Sequence, residues 1–157
     1  MDIAIVLSSG VVAGIIAGLV TLRTSERKIA IENITKQREV WRDKIRTKSL
    51  GVTNAIENKA LSELCELYTG FSHLLNPEDM EDFAILSLLW NFKSGRLDEE
   101  SHLEFIERVS LLLKHDWERA KREAKPWFFF TKEPKRMEYN NFSNKRSTAN
   151  KQRQSDA

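Results

Sequence analysis

Residues 3–22 read IAIVLSSGVVAGIIAGLVTL, an apolar run with no charge and no proline. In a helix such a run rises about 30 Å, the thickness of the hydrocarbon layer of a bilayer. It therefore predicts a transmembrane helix. Gly10, Gly14 and Gly18 fall four apart on one stripe of that helix, with Ala13 and Ala17 beside them. The stripe has two readings. Missing side chains let two backbones approach closely, as in small-xxx-small pairs. Glycine and alanine are also simply common in membrane helices. Two overlapping GxxxG units in register favour the first, namely self-association or pairing with another membrane helix.

The ends of the run set its orientation. Met1 and Asp2 precede it without the basic residues of a secretory signal, and the apolar stretch continues well past Ser8, Ser9, Gly10 and Ala13. The expectation is a retained anchor. Basic residues follow the run (Arg23, Arg27, Lys28, Lys36, Arg38, Arg42) and none precedes it. The positive-inside rule then predicts a single-pass protein with its N-terminus outside and its bulk cytoplasmic, which in a bacterium means the inner membrane. Cys65 is the sole cysteine, which excludes an intrachain disulfide and fits a reducing compartment.

The remainder divides by charge into a cytoplasmic bundle, 24–131, and a basic tail, 132–157, behind the anchor, 1–23. Arg23 to Lys48 carries nine basic residues against four acidic, Ser49 to Thr131 nine against fifteen, and Lys132 onward seven against three. The tail is rich in Asn, Lys, Arg, Ser and Gln, a composition that predicts disorder.

Helical periodicity runs through the bundle, and no segment alternates with period two for long enough to be a strand. A first helix over Thr24 to about Lys48 carries Ile31, Ile34, Trp41 and Ile45 on one stripe, with Gly51 as its stop. A second, about Thr53 to Leu75, buries Ile56, Ala60, Leu64, Leu67, Phe71 and Leu74. Asn76 caps a third, Pro77 to Phe92, with Phe83, Leu86, Leu89 and Trp90 inward. A fourth runs from Asp98 to about Ala124 with Leu103, Ile106, Val109, Leu113, Trp117 and Ala120 inward. The predicted fold is all-α: a transmembrane helix continuing into an antiparallel bundle of about four helices. That parity would return Trp127, Phe128, Phe129 and Phe130 to the bilayer surface, where aromatic rings and the neighbouring lysines are favoured. Equally, those rings could cap the bundle core.

Motifs for chemistry are sparse. Glu99-x-x-His102 has the spacing of di-iron bundles but lacks the second pair and the further carboxylates they need. His115-Asp116 lacks partner histidines at helical spacing. Cys65 lies beside an apolar face and reads as a small hydrophobe. There is no phosphate loop, dinucleotide fingerprint or serine elbow. No nucleophile–base–stabiliser set can be assembled, so the sequence points away from an enzyme and toward no cofactor or metal. The basic tail is too unselective to mark a specific nucleic-acid site.

Two regions together carry a resemblance. One is Ile34-Thr35-x-x-Arg38-x-x-Trp41-Arg42-x-x-Ile45-Arg46, directly after the span. The other is Leu74-Leu75-Asn76-Pro77-Glu78-Asp79 with Leu112-Leu113-Lys114-His115-Asp116-Trp117-Glu118-Arg119-x-Lys121. This resembles a group of small, largely uncharacterised bacterial membrane-anchored helical proteins, often found in prophages and defence regions. The resemblance spans Ile3 to Arg122. It implies an anchored helical module acting at the inner membrane during phage infection, and it supplies no catalytic residues. His115 stands where a less distinctive polar residue is expected. Physically, Arg38 with Glu118 would make an ion pair and Trp41 with Trp117 an aromatic contact as the bundle closes. The partners expected are the lipid bilayer, a second membrane helix or copy, and a cytosolic protein recruited by the bundle.

Overall fold

The computed structural model describes residues 3–123, 132 and 134–155; the side chains of 3–9, 27, 30, 150, 151 and 153–155 are outside that description. Among the described residues the regular elements are all helices, in the order α1 (Ile3–Glu57), α2 (Leu61–Ser72), α3 (Met80–Lys93), α4 (Glu99–Glu123) and α5 (Tyr139–Ser155). The chain divides into two compact units, 1–39 and 40–157.

The first unit is the N-terminal part of α1. From Val11 to Leu22 its large apolar side chains are exposed. Among the described residues no helix is long and apolar enough to cross a membrane. The side chains of 3–9, the start of the apolar run, lie outside that statement.

The second unit is built on a core from four helices. Ile45, Val52 and Ala55 of α1, Leu64 and Phe71 of α2, Ile85, Leu89 and Phe92 of α3, and Phe105, Val109 and Leu112 of α4 form one buried cluster. Phe105 is its centre: Phe71 and Phe92 meet it edge to face at 5.8 and 6.0 Å, the arrangement ring quadrupoles favour.

Gly51 does not stop the first helix. It sits inside α1 facing Leu67, whose Cδ2 would lie 3.2 Å from a Cβ there. The glycine admits a close crossing by α2. The chain breaks instead at Asn58–Ala60. Ala60 N–H donates to Ala55 O at 2.8 Å and Lys59 N–H to Ile56 O at 3.1 Å, with Lys59 at φ 54°. That is the bond pattern of a Schellman cap, with lysine in the left-handed position glycine usually fills.

The cap of α3 is Asp79 rather than Asn76: its side chain accepts from the Glu81 and Asp82 N–H groups at 3.0 Å. Asn76 closes a turn before it, accepting from Glu78 N–H at 3.1 Å. Asp98 caps α4 as its acidic first turn predicts, accepting from Ser101 N–H at 2.7 Å. This bond holds the Asp98 carboxyl below its usual range.

The apolar faces of α3 and α4 are turned from expectation. Leu86, Leu89 and Val109 are buried, but Phe83, Trp90, Leu103, Ile106 and Trp117 are exposed. Residues 139–155, expected to be disordered, form α5. Its anchorage is electrostatic, as described next.

Candidate functional site

Two places hold residues singled out by sequence, and a third lies outside them. The first is the glycine stripe. A Cβ at Gly10, Gly14 or Gly18 would meet no atom within 4 Å beyond the helix's own backbone. The stripe is an open groove flanked by exposed Val11, Ile15 and Leu22. Thr21 and Thr24 return their hydroxyls to the Ala17 and Val20 carbonyls at 2.8 and 2.5 Å, which removes polar donors from this surface.

The second is the end of the bundle where α1 meets α4. Trp41 donates its indole N–H to Leu74 O at 2.9 Å, capping a carbonyl at the end of the α2 turn. Trp117 does not stack on Trp41. It lies under two cations, Arg42 at 5.9 Å and Lys121 at 5.7 Å from the ring centre. Arg42 also reaches Asp116 at 3.4 Å, with both side chains largely buried. Sequence reasoning took Arg38 and Glu118 as the cross-helix pair; Arg38 belongs to the first unit and Glu118 to the second, and their pairing stays a sequence expectation. The Arg42–Asp116 pair was missed although both residues stand in the quoted motifs. Sequence alone presents Asp116 only as the neighbour of His115.

The third was not expected. The segment before α5, and α5 itself, are fastened to an acidic face of α3 and α4. Arg136 Nη1 lies 2.7 Å from both Asp79 Oδ1 and Asp82 Oδ1. Asp82 is a buried carboxylate, and its other oxygen accepts from Asn76 N–H at 2.9 Å. Tyr139 N–H donates to Glu81 at 3.1 Å and its hydroxyl to Glu107 at 3.0 Å. Arg108 lies 4.3 Å over the Tyr139 ring and is held by Glu81 at 2.5 Å and Glu104 at 2.7 Å. Arg146 pairs with Glu107. Burial, and then the Glu104 carboxylate, push the Tyr139 phenol up, against the pull of Arg108. The signal for this contact was in the charge pattern: an acidic body followed by a basic tail on one chain.

His102 Nε2 sits 3.1 Å from Thr53 Oγ1, a contact between α4 and α1. Cys65 is exposed. Among the described residues no group of three or more His, Cys, Asp or Glu is placed to hold a metal ion. Trp127, Phe128, Phe129 and Phe130 lie outside the described residues. No family model, no curated protein and no solved structure matches the chain.

Proposed function

We propose that this chain is a membrane-anchored helical interaction module, an inner-membrane protein of one span that assembles through its N-terminal helix. The observation that carries the reading is the open glycine stripe on a helix whose exposed side chains from Val11 to Leu22 include seven large apolar ones. A contiguous apolar surface of that kind needs lipid or another helix to cover it. Glycine at every fourth position suits a helix. Extended by the family resemblance, the module is an oligomerising effector in phage defence or prophage biology. Several copies would be needed, because one span cannot line a pore.

The test is chemical crosslinking of the full chain in isolated bacterial membranes. Dimers or higher species are expected in the membrane fraction. Gly14→Leu should weaken them about tenfold, in line with the 1–2 kcal/mol of such contacts. Recovery of the chain in the soluble fraction, or crosslinking indifferent to Gly14→Leu, would overturn the reading. Phage plating on bacteria carrying the gene, with and without Gly14→Leu, then tests the defence role.

A second reading, an adaptor that recruits a cytosolic partner, draws on α3. Met80, Phe83 and Trp90 lie there 87, 59 and 53 % exposed. Partner capture lost in Trp90→Ala and unchanged in Gly14→Leu would favour it.

A further inference from the structure

Three buried side-chain nitrogens in the second unit have no hydrogen-bond partner: Nδ1 of His115, Nε of Arg119 and Nε of Arg136. His115 and Arg119 stand one turn apart on α4, so their side chains share a face. Arg136 comes from the segment before α5 and spends its Nη1 on Asp79 and Asp82, which leaves the Nε edge of its fork. Arg119 has no hydrogen bond or ion pair among the described residues. Both arginines are also electrostatic neighbours of His115. Burial pushes the His115 imidazole down, and the charges of Arg119 and then Arg136 push it the same way. Glu118 and Asp116 pull it up by less, so the field at His115 is that of the cations.

The nearby carboxylates do not remove this charge. Asp116 is engaged by Arg42. Asp79 and Asp82 are held by Arg136 and by backbone N–H groups. Glu118 stands beside Arg119 in sequence, with the weaker influence just given. A buried guanidinium N–H with no acceptor is costly, and two of them beside the His115 ring nitrogen call for an anion. Guanidinium forks match the tetrahedral oxygens of phosphate, and N–H donors from three side chains suit an oxyanion with several acceptor atoms. His115 and Arg119 are half-buried residues, so their orphan nitrogens lie just beneath the surface of α4.

We propose that His115, Arg119 and Arg136 form a binding site for a phosphate group, carried by an anionic phospholipid headgroup or by a soluble phosphate. The site lies wholly within the second unit and does not depend on the anchor.

The experiment follows the imidazole C–H signals of the three histidines by NMR in the full chain. Inorganic phosphate is added at constant ionic strength, with chloride as the control. In a second arm the chain is held in phosphatidylcholine nanodiscs with or without phosphatidylglycerol. The His115 signals are expected to shift while those of His73 and His102 stay in place. A shift with phosphatidylglycerol alone assigns the lipid headgroup; a shift with inorganic phosphate alone assigns a soluble ligand. Arg119→Gln should weaken binding by about tenfold or more, the scale of a lost charged hydrogen bond. If His115 does not move in either arm, or if Arg119→Gln responds as the parent chain does, the proposal is wrong. Should Arg119→Gln fail to fold, the response of the parent chain alone decides.

Discussion

Lys59 holds a left-handed backbone, φ 54°, at the cap that ends α1. A side chain there costs about 1–2 kcal/mol that glycine does not incur. Lys59→Gly should therefore stabilise the bundle by about 1 kcal/mol, measured by urea unfolding, since the added freedom of the unfolded chain cancels part of the gain. His115 sets a pH dependence. Its imidazole is held below the ordinary histidine value by burial, Arg119 and Arg136, with Glu118 and Asp116 opposing. At neutral pH it is mostly uncharged in the unfolded chain and more completely so in the folded one. As pH falls below about 6.5 the unfolded chain takes up the proton first, so stability declines. In phosphate-free buffer, His115→Gln should show a flatter stability profile than the parent between pH 7 and 5. A parent profile no steeper than that of the variant would count against the buried neutral imidazole.

At the scale of elements, the helices were legible because apolar residues recur with helical spacing and acidic residues mark the starts of α3 and α4. What was not legible was phase. In α3 apolar residues occupy nearly every position from Phe83 to Phe92, so spacing alone cannot say that Phe83 and Trp90 are the exposed ones. In α4 the run Leu111-Leu112-Leu113 leaves the same ambiguity, and the buried face passes through Phe105 rather than Ile106. Gly51 misled for a different reason: close packing and helix termination both select glycine, and only the partner, Leu67, separates them. The tail composition suggested disorder because almost nothing in it can join an apolar core. Its order comes from complementary charge on another element, which a local window does not contain. Removing Arg136 should expose that dependence. Arg136→Gln leaves the buried Asp82 carboxylate with one donor, the Asn76 N–H, and should cost about 3–5 kcal/mol. It should also make α5 a ready target in limited proteolysis, whereas the bundle should stay protected.

For the molecule as a whole, stability rests on one aromatic cluster. Phe105 is fully buried between Phe71 and Phe92, and Phe105→Ala should cost about 3–5 kcal/mol. That is a large part of the total for a domain of this kind. Trp90 is bigger but exposed. It packs against Tyr68 with ring centres 5.7 Å apart and carries the Lys93 ammonium 3.7 Å from its own centre. Trp90→Ala should cost only about 1 kcal/mol, the worth of exposed aromatic and cation–π contacts. Equal losses in the two variants, read from thermal unfolding, would mean that the core is not where the burial pattern puts it.

Every residue of the buried cluster lies between Ile45 and Leu112. A ribosome releases the chain from its N-terminus, and domains fold as their parts emerge. The complete set of core residues leaves the tunnel before the segment bearing Arg136, Tyr139 and Arg146. The birth order of the chain therefore gives the bundle time to close before its charged fastening is made, so α5 docks on a surface already finished.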